Sequence, residues 1–205
     1  MDTSDLKLEH LRLIVKADLI PRFSQFIASG FRVKIETGCS IKELFCGPLG
    51  IAVDYFDNRI QTIFLDGKAV DNVDTAWVED GSSVALSAAM PGLVGATFRK
   101  GGRYAPFRGS ISYSKSKNVV AGGGGLITLK FFNMIAKELG PVFLQKGIII
   151  EGQRLQDFVR RNSEELKAAG TSVHLNDAKV DLAALLDMNW ENKDILVKVV
   201  PQQKL

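Results

Sequence analysis

The stretch IQTIFLDGKAVDNVDTAWVEDGSSVALSAAMPG, residues 60–92, holds two Asp-Gly dipeptides, each beside an apolar run of strand length. Asp-Gly tolerates the positive φ of a tight reversal well, so Asp66-Gly67 and Asp80-Gly81 mark turns, while IQTIFL and SSVALSAAM mark strands. A chain punctuated this way is not all-helical. Upstream, FRVKIETG alternates Phe31, Val33 and Ile35 with Arg32, Lys34 and Glu36, the period of a half-buried strand. Ser40 followed three residues later by Glu43 predicts a capping box, so SIKELF starts a short helix that stops by Gly47-Pro48. The segment LKLEHLRLIVKA leans toward a strand. Asp18 to Gly30 predicts a helix with Pro21 in its first turn and Gly30 as its stop.

With 46% hydrophobic and 24% charged residues, the 205-residue chain has globular composition and is long enough for one large domain or two small ones. Its longest weakly polar run, NVVAGGGGLITL, falls short of the roughly 20 apolar residues of a membrane span. The acidic start MDTSDLKLEH lacks the basic and apolar pattern of a signal peptide, and Cys39 and Cys46 are too few for a disulfide framework or a metal site. A cytoplasmic setting, with no metal and no cofactor, is the expectation. A formal charge of +3 does not by itself imply nucleic acid.

Beyond residue 92 the pattern predicts a basic loop, a strand near GSISYS, another through NVVA, and then four glycines. A helix is expected over LITLKFFNMIAKEL, with Lys130, Asn133 and Lys137 as its polar stripe and Gly140-Pro141 as its stop. A strand ending FLQKGIII, an amphipathic helix over GQRLQDFVRRNSEELKAAG, a third helix opened by Asn176 and a closing strand ILVKVV follow. No internal repeat is visible. The expected class is α+β: a β-grasp-like domain with an N-terminal extension over 1–95, a basic linker over 96–118, and an α/β or α+β domain over 119–205.

The first of these domains rests on a resemblance. Strand, capped helix, strand, Asp-Gly, linker, Asp-Gly, strand is the order found in the ubiquitin-like β-grasp sulfur carriers of thiamine and molybdopterin biosynthesis. SIKELF, LDGKAV and EDGSSVALSAAMPG stand where those carriers have a TVxELL-type helix start, a strand with Asn-Gly, and a terminal DGDxVxxxxxxxGG. The resemblance covers residues 31–92 and implies the fold of that segment. It does not extend to sulfur transfer, which needs a free terminal Gly-Gly; here LVGATF follows Pro91-Gly92, and Gly101-Gly102 is also internal.

Two features carry candidate chemistry. Gly122, Gly123, Gly124 and Gly125 between an expected strand and an expected helix would expose successive amides to an anion, with Lys130 assisting. Their spacing fits neither nucleotide-binding glycine fingerprint. The segment from Thr97 to Lys117 holds Arg99, Lys100, Arg103, Arg108, Lys115 and Lys117 with no acidic residue, interleaved with aromatics. Arg99, Lys100, Arg103 and Arg108 are expected to form a solvent-facing surface for a protein partner with acidic character, ahead of nucleic acid. His10 and His174 fall in no catalytic motif, and no catalytic residue is assigned. The sequence thus points to a binding or assembly module on a β-grasp scaffold, with a small-anion or nucleotide-binding enzyme centred on the glycine run as the alternative.

Overall fold

The computed structural model describes residues 8–114 and 123–203. In chain order its strands are β1 (Glu9–Val15), β2 (Phe31–Glu36), β3 (Cys39–Ser40), β4 (Thr62–Leu65), β5 (Lys68–Ala69) and β6 (Trp77–Val78). There follow β7 (Ser83–Ser87), β8 (Gly124–Phe132), β9 (Ile148–Glu151), β10 (Ser172–Leu175), β11 (Ala178–Val180) and β12 (Asp194–Pro201). The α-helices are α1 (Ser24–Ser29), α2 (Ile41–Cys46), α3 (Val53–Arg59), α4 (Gly92–Thr97), α5 (Asn133–Lys146), α6 (Gly152–Ala168) and α7 (Ala184–Asp187). Segments Ala17–Phe23 and Ala105–Ile111 are 3-10 helix. The fold is mixed α+β and divides into two compact units, residues 27–136 and residues 6–26 with 137–205.

In the first unit the strands are bonded in the order β2-β8-β7-β4-β5. Strand β8 is antiparallel to β2 and parallel to β7, and β4 is antiparallel to both β7 and β5. The β2 alternation read from the sequence holds: Phe31, Val33 and Ile35 are buried, and Phe31 meets Phe131 of β8 edge to face at 5.4 Å. Helix α2 starts at the expected capping box. The Ser40 hydroxyl accepts from the Glu43 amide at 3.2 Å, and the Ser40 amide donates to Glu43 Oε2 at 2.8 Å. Those bonds hold the Glu43 carboxyl below its ordinary range. The cap is therefore intact at neutral pH and weakens as pH falls through that depressed value. Asp66 (φ 50°) and Gly67 (φ 77°) turn β4 into β5 as a tight hairpin with both central residues left-handed.

In the second unit the order is β9-β12-β1-β10-β11, with β12 antiparallel to β9 and parallel to β1, and β10 antiparallel to β1 and β11. The sequence of strand senses is that of the first unit. The repeat is topological and escapes a search for sequence periodicity, because β1 comes from the start of the chain while its counterpart β7 lies between the hairpin and β8. Helix α6 presents Leu155, Phe158, Val159 and Leu166 to the core, the apolar face expected from its periodicity. Phe158 packs at a tilt against Phe23 and Phe26, at 4.6 and 5.2 Å between centroids.

Several expected elements are replaced. Residues 126–132 extend β8 instead of opening a helix, and α5 starts only at Asn133, whose φ of 53° breaks the strand. Helix α5 then runs through Pro141 to Lys146. The third helix expected from Asn176 is the β10–β11 hairpin, turned by Asn176 (φ 47°) and Asp177 (φ 67°), and only Ala184–Asp187 is helical. The expected helix over 18–30 is 3-10 helix to Phe23 and α1 thereafter. The first half of GSISYS, to Ile111, is 3-10 helix, Ser112 makes a single bridge to Ala69, and NVVA lies outside the described residues. The division between units falls near residue 136, not at 95–119, because β8 pairs with β2 and β7; β1 belongs with the C-terminal strands.

Candidate functional site

The geometry expected of an anion loop is absent at the glycine run. Gly124 and Gly125 lie in β8 opposite Glu36 and Ile35, and Gly123 is joined to Thr37 through its carbonyl and amide. Gly122 lies outside the described residues, and Lys130 sits mid-strand opposite Ala85, half-buried. The strand-to-helix junction that would aim amides at a ligand does not form here. Packing explains Gly125 instead: a Cβ there would stand 2.3 Å from Thr37 Cγ2 and 3.1 Å from Asp80 Oδ1, the atom that accepts the Leu126 amide. Thr37 cannot rotate away without its hydroxyl losing its bonds to the Gly123 carbonyl and amide. Gly125→Ala should therefore cost about 2 kcal/mol, read by urea denaturation. Gly123→Ala, with open space and an ordinary φ, should be neutral or stabilise by up to about 1 kcal/mol. Equal effects at the two positions would refute the packing account.

The basic segment does not form one solvent-facing surface. Arg99 and Arg103 are exposed as expected, but Lys100 and Arg108 turn inward. The Lys100 ammonium donates to the Phe56 carbonyl at 3.1 Å and lies 5.0 Å from the Phe56 ring centroid, and burial pushes its pKa down. The Arg108 side chain is 1% exposed and pairs through Nη2 with Asp71 Oδ1, which also accepts the Gly101 amide at 2.9 Å. Among the described residues, Arg108 Nε and Nη1 are buried without hydrogen-bond partners. Backbone bonds from Lys100 to Gln61 and from Tyr113 to Ala69 tie this connection along β4 and β5. The cations at 100 and 108 thus anchor the connection. Charge counting in sequence cannot separate such cations from exposed ones, because Lys and Arg stems pack as readily as they project.

What the sequence reading missed is apolar. On α4, Leu93 and Val94 are 71% and 70% exposed, and on the 3-10 segment Phe107 and Ile111 are 80% and 44% exposed. The two short helices touch each other, Tyr104 lies 6.2 Å from Phe107 between centroids, and Arg99 and Arg103 stand beside them in the chain. Phe98, by contrast, turns inward onto Phe64 at 5.2 Å. Exposed neighbours of this size mark contact surfaces in soluble domains. The available signal was LVGAT after Pro91-Gly92, an apolar run with no charged partner face.

Groups suited to covalent or acid–base chemistry are dispersed. Burial is the main cause raising the pKa of Cys39 and of Cys46, the reverse of an activated thiol. His174 Nε2 lies 3.2 Å from Ser172 Oγ, but among the described residues no carboxylate bonds to that ring to complete a nucleophilic triad. Ser172 also lines an open cavity of about 430 Å³ with Lys167, Thr171, Lys179, Asp181 and Leu182. Asp181 is engaged there in accepting the Ala183 amide at 2.8 Å. The described residues hold no group of three or more His, Cys, Asp or Glu able to bind a metal, and no helix among them is long and apolar enough to cross a membrane. No family model, no curated protein and no solved structure matches the chain.

Proposed function

We propose that the protein is a binding or assembly module, and that its contact surface is the face made by α4 and the 3-10 segment Ala105–Ile111. The observation that carries this is the exposure of Leu93, Val94, Phe107 and Ile111 on two touching helices, flanked by Arg99 and Arg103. Such a face suits a protein partner with an apolar patch rimmed by carboxylates: burial of the four side chains supplies affinity, and the arginines supply orientation and encounter rate. The β-grasp reading of residues 31–92 is part of the proposal. It is supported by the succession of β2, capped α2, β4, the Asp66-Gly67 turn and β7, with β8 inserted between β2 and β7. Sulfur transfer is not part of it, since Pro91-Gly92 leads directly into α4.

The test uses the full chain as bait against lysate of its host. A Leu93→Ser/Phe107→Ser variant should keep the wild-type melting temperature and lose the captured partner. Arg99→Gln/Arg103→Gln should weaken capture chiefly at low salt, since the Debye length shrinks from about 10 Å at 0.1 M to about 3 Å at 1 M. Undiminished capture by the Leu93/Phe107 variant would overturn the assignment of this face.

A further inference from the structure

The second unit carries a basic row that sequence inspection does not reveal, because its members come from three separated stretches of the chain: β1, the β10–β11 hairpin and β12. Residues directly opposite each other on adjacent strands project from the same face of a sheet. The register sets Lys198 of β12 opposite Arg12 of β1, Arg12 opposite His174 of β10, and His174 opposite Lys179 of β11. At about 4.8 Å between strands, the four basic side chains line up over roughly 14 Å. Arg12, Lys179 and Lys198 are exposed and His174 is half-buried, while the alternate residues Leu11, Leu13, Val173, Val197 and Val199 turn into the core. The row therefore lies on the open face of this sheet.

Like charges set directly opposite each other destabilise a sheet, so the row is a local cost unless something neutralises it. Among the described residues, Arg12, Lys179 and Lys198 make no ion pair. The next row along the same face, Val200–Ile14–Ser172, holds no carboxylate on β12, β1 or β10; past the end of β11, Asp181 stands two residues from Lys179 and accepts the Ala183 amide, and the nearest carboxylate on β12 is Asp194, four residues from Lys198. His10 adds a further basic group two residues from Arg12. Half-exposed aliphatic side chains flank the row: Ile14 and Val200 on one side, Leu196 on the other.

We propose that this sheet face binds an acidic amphipathic segment of another protein, its carboxylates seated along Lys198, Arg12, His174 and Lys179 and its aliphatic side chains against Ile14, Leu196 and Val200. Charge complementarity selects the occupant's sign, and the aliphatic flanks select its kind. The row and its flanks hold no Phe, Tyr or Trp, so bases of a single-stranded nucleic acid would find none of the large stacking platforms that such sites use, only the half-buried His174 imidazole. This proposal shares no residue with the α4 face and stands or falls independently of it.

The experiment measures binding of a fluorescent peptide alternating Glu and Val to the full chain. Its controls are the same peptide with Gln for Glu and a single-stranded oligonucleotide. The Glu peptide should bind, the Gln peptide should bind at least about tenfold more weakly, and Arg12→Gln/Lys179→Gln/Lys198→Gln should lose at least as much affinity. That triple variant should melt no lower than wild type, because it relieves repulsion within the row; this separates lost contacts from lost folding. The Leu93→Ser/Phe107→Ser variant should bind the peptide like wild type. The proposal is overturned if the triple variant keeps its affinity, if Gln and Glu peptides bind alike, or if the oligonucleotide binds through these residues more tightly than the Glu peptide.

Discussion

Phe158→Ala is expected to lower the stability of the chain by about 4 kcal/mol, measured as the free energy of unfolding in urea. The Phe158 ring is fully buried on α6, 4.6 Å from the Phe23 ring and 5.2 Å from that of Phe26. Truncation removes the ring's transfer free energy and leaves a cavity lined by two aromatics whose own positions depend on it. The Arg154 guanidinium, 5.7 Å from the Phe26 centroid, covers that cluster and would be unsettled as well. Domains are stable by only about 5–15 kcal/mol, so the loss is a large fraction of the total. Phe158→Leu fills most of the space and should cost less than about 1.5 kcal/mol. Amide exchange locates the effect: protection should fall in residues 17–26, which reach the core through Phe23 and Phe26. A cost below about 1 kcal/mol for Phe158→Ala would mean that the cluster closes over the gap.

Local patterns were legible where one residue type satisfies one local demand. The Ser40–Glu43 box, the Asp66-Gly67 hairpin, the β2 alternation and the apolar face of α6 all follow from neighbouring residues, and each is found where the sequence places it. The strand β8 was misread although its period is two: Ile127, Leu129 and Phe131 are buried while Leu126, Thr128 and Lys130 are half-exposed. Its residues are apolar enough on both faces to fit a helix pattern, and the decision was made by pairing on both sides, to β2 and β7, which no local window contains. The chain's other long-range choice, the parallel pairing of β1 with β12, joins segments from opposite ends.

The candidate surfaces show the same division. Arg99, Lys100, Arg103 and Arg108, from one segment without acidic residues, are expected to form one surface, yet Arg108 and Lys100 are held inward by Asp71 and Phe56. The basic row of Arg12, His174, Lys179 and Lys198 is assembled only by strand register, so composition gives no hint of it. Charge in sequence reports a residue's type; which way the side chain leaves the backbone depends on partners that arrive from elsewhere.

Asp71→Ala is expected to cost about 3–5 kcal/mol, the range for removing one partner of a buried ion pair. The cost does not arise at Asp71 itself, whose side chain is 40% exposed, but at Arg108, which is 1% exposed. In the wild type Nη2 of that guanidinium is paired with Asp71, and among the described residues Nε and Nη1 are buried without partners. Removing Asp71 leaves the whole cation uncompensated, and the Gly101 amide also loses its acceptor. Asp71→Asn keeps an acceptor oxygen without the charge, so the difference between the two variants isolates the electrostatic part. Arg108→Met with Asp71→Ala removes the stranded cation and keeps much of its stem, and it should recover most of the loss, since matched apolar replacements of buried pairs are often neutral or stabilising. Unfolding in urea for wild type, Asp71→Ala, Arg108→Met and the double variant gives the coupling directly. If Asp71→Ala costs less than about 1 kcal/mol, or the double variant is no more stable than Asp71→Ala alone, then Arg108 reaches solvent and the connection between β7 and β8 is not anchored by this pair.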